Sequence, residues 1–275
     1  MTTPSSKAVR ERFIAEPGKP FELDARDSSD RVLFPDKKHA RKCLEADAGA
    51  INELQDLLYA TQQKSVLVVL QGMDTSGKSG VIRHVFADTS PLGVKVTAFK
   101  APSKEELAHD YLWRIHQAVP RKGFIGVFDR SHYEDVLVVK VRGFAPADEI
   151  EQRYEQINQF EKHLTDNGTL VLKFMLHVGR EEQGERLKER ITEPHKRWKF
   201  NPGDLDDRRL WPDFMQAYET MVQRCSTPHA PWHVIPSNSR TRRNAAIARI
   251  VRGALEELNL EWPDPGHKLE DYDFS

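Results

Sequence analysis

Cysteine is almost missing from this chain. Cys43 and Cys225 are the only two in 275 residues, and neither stands in a paired motif that would bind metal or cycle redox state. Both are read as reduced thiols held for their packing. Long apolar runs are missing too: the longest strictly aliphatic stretch is Val66 to Leu70, far short of the roughly 18 residues that suggest a bilayer span. A membrane protein is therefore not expected. The first twenty residues hold no apolar run of about 7 to 15, which argues against a secretory leader and for a cytoplasmic protein. No internal repeat occurs. Nor does either sign of charge dominate, since 41 Lys and Arg face 42 Asp and Glu. That balance argues against a surface coated in cations for nucleic acid, while leaving room for a local basic patch.

Hydrophobic residues make up 39% and charged residues 30%, enough for a buried core in one large domain or two small ones. Residues 1–36 are rich in Pro, Ser, Lys and Asp without clear periodicity, and read as an extended or partly ordered arm. From 37 to 63, Leu44, Ala48, Ile51, Leu54 and Leu58 recur at steps of three or four, the stripe of an amphipathic helix. That stripe suits packing on the body or against a second subunit. Ser65–Gly72 is a short β-branched run ending in glycine, as in a buried parallel strand. Similar runs lie at 94–99, 124–128, 169–176 and 232–235. Between them stand helical patterns. Ser103 and Glu106 have capping-box spacing before Leu107, Leu112 and Ile115. Ile150, Tyr154, Ile157, Phe160 and Leu164 mark a helix stopping at Asn167–Gly168. Ile247, Ile250, Val251, Ala254 and Leu258 mark the last. Alternating strands and helices predict an α/β fold with a five-stranded parallel sheet covered on both faces. The division expected is an arm over 1–36, one domain over 37–260 and a solvated tail over 261–275.

Chemistry concentrates after the first strand. Gly72-Met73-Asp74-Thr75-Ser76-Gly77-Lys78-Ser79, followed by Gly80, fits G-x-x-x-x-G-K-[ST] in full, with strand before and helix after. In such a loop, glycines let backbone N–H groups wrap a polyanion and the helix N-terminus adds a favourable dipole. Lys78 can reach the terminal phosphates, and the Ser79 hydroxyl a magnesium ion. A second acid is needed at the carboxyl edge of the sheet, where a metal would sit. Asp129 ends the run Phe124–Phe128, and could equally cap the next helix. Arg130 follows, placed for phosphates or for pairing with a neighbouring carboxylate. From 186 to 199, six Lys or Arg stand against two acids. A run like this is ordinarily a solvated face; downstream of a phosphate loop it fits a lid over about 180–208 that brings cations to a transferring phosphoryl group.

Five segments together resemble polyphosphate kinase family 2: GMDTSGKSG (72–80), FKAPSKEELAHDYLWRIH (99–116), GVFDRSHYEDVLV (126–138), EEQGERLKERITEPHKRWKF with NPGDL (181–205), and STPHAPWHVIPSN (226–238). The resemblance implies a P-loop kinase fold like that of thymidylate kinase, a three-layer sandwich with a helical lid. It also implies reversible, magnesium-dependent phosphoryl transfer between inorganic polyphosphate and a nucleoside phosphate. By motif position, Asp74 and Asp129 look like the metal-holding acids, Lys78 and Arg130 like their phosphate-contacting partners, and Arg186, Arg190, Lys196 and Lys199 like lid cations. HYEDVLV is similar to the subclass accepting both AMP and ADP, with Glu134 beside His132 and Tyr133 among candidate nucleotide or phosphate contacts. Ser79 departs from the Gly or Asp common in the family, which shifts magnesium to Asp74 and Asp129. Many relatives of this subclass carry Asn in place of Asp129.

The mechanism expected is in-line attack by the nucleotide's terminal phosphate oxygen on the end phosphorus of polyphosphate, with no phosphohistidine. His132 is assigned to packing or substrate contact, and Trp113 to the core. A polymeric donor needs a track, for which Lys100, Lys104, Arg121 and Lys122 are candidates. Partners expected are polyphosphate and AMP, ADP or ATP, with guanine nucleotides left open; nucleic acid and membrane are not expected, and a homo-oligomer is a family expectation. Two other readings stay open: an ATP-dependent nucleoside monophosphate kinase, and a catalytically silent polyphosphate-binding module.

Overall fold

The computed structural model describes residues 2–267. Five strands form one parallel sheet among these residues: β1 (Ser65–Gln71), β2 (Val94–Ala98), β3 (Ile125–Asp129), β4 (Thr169–His177) and β5 (Trp232–Pro236), in the spatial order β2-β3-β1-β4-β5. Ten α-helices accompany them: α1 (Ser6–Phe13), α2 (Lys37–Thr61), α3 (Lys78–Val85), α4 (Trp113–Ala118), α5 (Val138–Arg142), α6 (Ala147–Asp166), α7 (Arg180–Thr192), α8 (Gly203–Arg209), α9 (Trp211–Cys225) and α10 (Arg240–Glu256). Among the described residues no helix is long and apolar enough to cross a membrane.

Two cores follow from strand alternation, since successive side chains point to opposite faces. Leu67, Val69, Phe128, Val171 and Met175 pack under α6 and α9 with Tyr154, Ile157 and Met221. Val66, Val68, Leu70, Ile125, Val127 and Phe174 pack under α2, α3 and α10 with Ile51, Leu58, Val81 and Ile247. All seven β1 residues are buried, which is why that run shows no polar alternation. The α2 stripe lies on α10, within the same chain. Alanines 245, 246, 248 and 254 on α10 keep that helix slim enough for close approach.

Three local expectations are corrected. The stretch 1–36 carries α1, capped by Ser5, which accepts from Ala8 N–H at 3.2 Å. Val9, Phe13, Phe21, Leu23 and Phe34 are all buried. Two helical turns with two inward residues are too short for a stripe to stand out against so polar a background. Next, the helix expected from Ser103 is split. The capping box forms, with Ser103 N–H on Glu106 Oε2 at 2.6 Å and Glu106 N–H on Ser103 Oγ at 3.2 Å. Leu107 is nevertheless 69% exposed, so nothing holds the turn beyond a 3-10 stretch (Glu106–Ala108), and α4 starts afresh at Trp113. Finally, β2 is an exposed edge strand, not a buried run. The α6 helix ends as its sequence predicts, with Gly168 at φ +90°.

Strand order places the site. The chain leaves β1 towards β2 and β3 on one side and later returns to β4 on the other, so a crevice opens at the carboxyl end of β1, where ligands bind in open α/β sheets. Register sets Leu70 beside Asp129 and Gln71 beside Met175.

Candidate active site

The loop after β1 fills that crevice. Gly72 opens it where a Cβ would stand 2.8 Å from Leu176 O on β4, so only glycine fits. Ser76 N–H closes a turn on Met73 O at 3.0 Å. Thr75 at φ +65° and Gly77 at φ +107° bend the chain into α3. Such alternation points successive N–H groups into one concavity. The N–H groups of Gly77, Lys78 and Ser79 make no hydrogen bond among the described residues, as expected for the first turn of a helix.

Lys78 is folded back and 8% exposed, its Nζ donating to Gly72 O at 2.7 Å and to Met73 O at 3.4 Å. Burial and the neighbouring Arg130 charge lower its pKa, while Asp74, Asp129 and Glu134 oppose them. Asp74 accepts from Arg130 Nη2 at 2.7 Å. Burial works against its charge, but Lys78 and Arg130 outweigh burial and hold its carboxyl below the usual range. Burial also opposes the charge on Arg130, yet Glu134 and Asp74 together raise its pKa. Arg130 sits at φ +65°, a left-handed conformation that costs energy in a non-glycine residue and is typical of functional sites. Glu134 is held by Gln71 Nε2 at 2.9 Å. Asp129 is half-buried at the end of β3, and its carboxylate makes no hydrogen bond among the described residues.

A sequence profile for the family described as Polyphosphate kinase 2 (PPK2) matches residues 35–262. The chain belongs to the polyphosphate kinase 2 family. An AMP/ADP-polyphosphate phosphotransferase from Meiothermus ruber is 48% identical over 257 residues, covering 92% of this chain and 96% of that protein. An ADP-polyphosphate phosphotransferase from Rhodopseudomonas palustris is 37% identical, covering 84% of each. The crystal structure of polyphosphate kinase 2 from Arthrobacter aurescens TC1 superposes with a TM-score of 0.93 at 40% identity, covering 98% of this chain and 96% of that one. The chain is thus an α/β phosphotransferase of the polyphosphate kinase 2 type, with the sheet described above.

Within this polyphosphate kinase fold, the residues singled out from sequence divide into four groups. Gly72, Asp74, Thr75, Gly77, Lys78, Ser79, Gly80, Asp129, Arg130 and Glu134 gather at the carboxyl end of β1 and β3, with Ser79 open to solvent. Met73 and Ser76 have their side chains buried and offer backbone only. Arg190 approaches from α7; its charge reaches Asp74, and its Nη1 donates to Asp204 Oδ2 at 2.5 Å and Lys199 O at 3.2 Å. Burial and the charge of Asp74 raise the Asp204 carboxyl to about 6, against the pull of Arg190.

Other candidates point elsewhere. His132 and Tyr133, expected to touch nucleotide or phosphate, have no exposed surface and face the core, where Glu161 Oε1 lies 3.1 Å from His132 Nε2 and accepts from Tyr133 Oη at 2.8 Å. The 3-10 stretch His132–Val136 turns them inward while Glu134 stays near the loop. Arg186, expected as a lid cation, lies beneath the loop with its donors on Thr75 O (2.9 Å), Ser76 O (3.2 Å), Ser237 O (2.7 Å), Asn238 O (3.1 Å) and Glu182 (2.8 Å). Lys196 pairs with Glu189 at 2.9 Å, and Lys199 lies over the exposed Trp198 ring at 5.0 Å. Lys100 is exposed beyond β2. Trp113, expected in the core, stacks on His109 with 4.0 Å between centroids.

Sequence reasoning missed Gln71, Asp204 and Arg243. Arg243 carried a readable signal: it stands four residues before Ile247 and seven before Ile250, in register with the inward stripe of α10.

The donor set at the crevice fits magnesium. Asp74 and Asp129 offer carboxylate oxygens, Asp74 stays ionised, and Asp129 accepts no hydrogen bond among the described residues. Among the described residues no three acidic, imidazole or thiol groups form a ready metal cage. A cation that keeps several waters and uses one or two carboxylates plus substrate phosphates needs none.

Proposed function

We propose that this chain transfers the terminal phosphoryl group of inorganic polyphosphate to AMP and to ADP. One observation carries the reading: an anion-ready loop, with free N–H groups on Gly77, Lys78 and Ser79, lies against the buried Lys78 and the Asp74–Arg130 pair. The activities for which the Meiothermus ruber and Rhodopseudomonas palustris relatives are named, and the HYEDVLV segment, favour polyphosphate as donor with adenine nucleotides as acceptors.

The chemistry asks for position and charge. A terminal phosphate oxygen of AMP or ADP attacks the end phosphorus of polyphosphate in line; the new P–O bond forms as the bond to the bridging oxygen breaks, and the polymer leaves one unit shorter. That oxygen is already anionic near neutral pH, so no general base is needed, in keeping with the inward His132. Loop N–H groups, Lys78 and Arg130 offset the charge on the donor, and Arg190 joins them by exchanging Asp204 for phosphate oxygens. Asp129 and Asp74 would hold magnesium, which when bound neutralises phosphate charge and aligns the donor.

Incubation of the protein with magnesium, polyphosphate and either AMP or ADP tests this, with products separated by chromatography. ADP should form from AMP and ATP from ADP. Turnover of ADP alone overturns the dual-acceptor reading; turnover of neither overturns the whole.

A further inference from the structure

Two guanidinium groups converge beneath the phosphate loop. Arg243, 2% exposed, donates from Nη1 to Ser76 O at 2.9 Å, the carbonyl that Arg186 also reaches. Its Nε and Nη2 donate to Asn244 Oδ1 at 3.0 and 2.8 Å. Its group lies against the loop itself: a Cβ at Gly77 would fall 1.9 Å from Nη1, and one at Gly80 would fall 2.9 Å from Nη2. The glycines of the motif thus serve this contact as well as the bend.

Geometry carries the consequence upward. A peptide unit is planar and trans, so its C=O and N–H point in opposite directions. Holding Ser76 O downward turns the Gly77 N–H towards the crevice, where it has no protein acceptor among the described residues. Charge is the second half. Among the described residues no carboxylate pairs with Arg243; burial, with the charges of Arg186 and Arg240, depresses its pKa to about 9. Arg186 has, among the described residues, Glu182 alone as an acidic hydrogen-bond partner, and Arg240 is paired with Glu189 at 2.8 Å. A buried cation with no counter-charge is strongly unfavourable in the empty protein. A polyanion on the far side of the same peptides supplies the missing counter-charge.

We propose that Arg243 is a positioning residue for polyphosphate: it orients the Ser76–Gly77 peptide and contributes a buried charge that becomes compensated when donor phosphates enter the loop. The inference rests on the polyphosphate reading for its donor, so affinity is read by turnover and also by calorimetric binding of tripolyphosphate, which needs no reaction. Asn244→Asp sets a carboxylate against the guanidinium in place of the amide oxygen, keeping shape while neutralising charge. Its polyphosphate KM and tripolyphosphate Kd should rise fivefold or more, with the ADP KM within twofold and thermal stability undiminished. Arg243→Met should raise the same two constants at least tenfold. A purely structural arginine predicts the opposite pattern, with Asn244→Asp leaving both constants within twofold, and that result overturns the proposal. Should Arg243→Met fail to fold, Asn244→Asp alone decides. If wild type binds tripolyphosphate but turns over only with ATP, the polyphosphate reading fails while the role of Arg243 is still decided by the calorimetric Kd.

Discussion

Replacing Tyr133 by Phe separates a core role from a substrate role within the RSHYEDV segment. The Tyr133 hydroxyl accepts from Lys173 Nζ at 2.7 Å and donates to Glu161 Oε1 at 2.8 Å. Burial and the Glu161 charge push its pKa well up, so it acts as a neutral phenol. Hydrogen bonds to charged groups are each worth about 1.5–3 kcal/mol. Here the charged partners keep each other at 2.6 Å, and Lys173 keeps Cys225 O at 2.7 Å. Neither is orphaned, and the loss should be near 2 kcal/mol. At roughly 2–4 °C per kcal/mol for a large domain, the melting temperature should fall by about 4–8 °C. Thermal unfolding followed by circular dichroism, with kcat and KM measured at 25 °C, checks this: the variant should melt early yet keep kcat/KM within about twofold. An unchanged melting point with a tenfold loss of kcat/KM refutes the inward placement.

Further outcomes follow from the same geometry. Lys78→Met should cut kcat by about 10²–10³-fold or more without lowering the melting temperature, because burial already depresses the lysine's pKa and its charge is unfavourable in the empty protein. Asp129→Asn should raise the magnesium concentration for half-maximal rate about tenfold and leave thermal stability unchanged, since that carboxylate has no hydrogen bond to lose. Burial holds His233 near a pKa of about 4, from 6.5. The folded state therefore excludes a proton that the unfolded chain takes up below pH 6.5. Stability present above that pH is lost as pH falls towards 4, by up to about 3 kcal/mol. The loss is measured as the difference between the pH–stability profiles of wild type and His233→Leu, which should diverge in that window and run parallel above it.

The fold was legible where burial imposes a period. β1 reads as an unbroken apolar run because both its faces are covered, and α2, α6 and α10 show stripes because each has one wet face. Short polar elements were not legible: α1 contributes only Val9 and Phe13 to the interior, and a capping box formed at Ser103 without a helix to cap. The loop motif brings Asp74 and Lys78 to one crevice because its spacing is itself the geometry, and Arg130 joins them because β3 lies beside β1 and ends at Asp129. Charge counting did not show the partners of the basic stretch after 186: Arg186 is matched by backbone carbonyls and Glu182, and Arg190 by Asp204, a partner beyond the counted window. His132 and Tyr133 adjoin the site in sequence but follow a 3-10 turn that carries them into the core. No local pattern announces that turn's direction.

The central claim is that the loop after β1 takes polyphosphate as phosphoryl donor. Initial rates of ATP formation from ADP with polyphosphate, set beside rates of ADP formation from AMP with ATP as donor, test it most directly. Polyphosphate should sustain turnover, with a KM in phosphate units that responds to Lys78 and Arg243 substitutions. Turnover with ATP and AMP, and none with polyphosphate, would contradict the account.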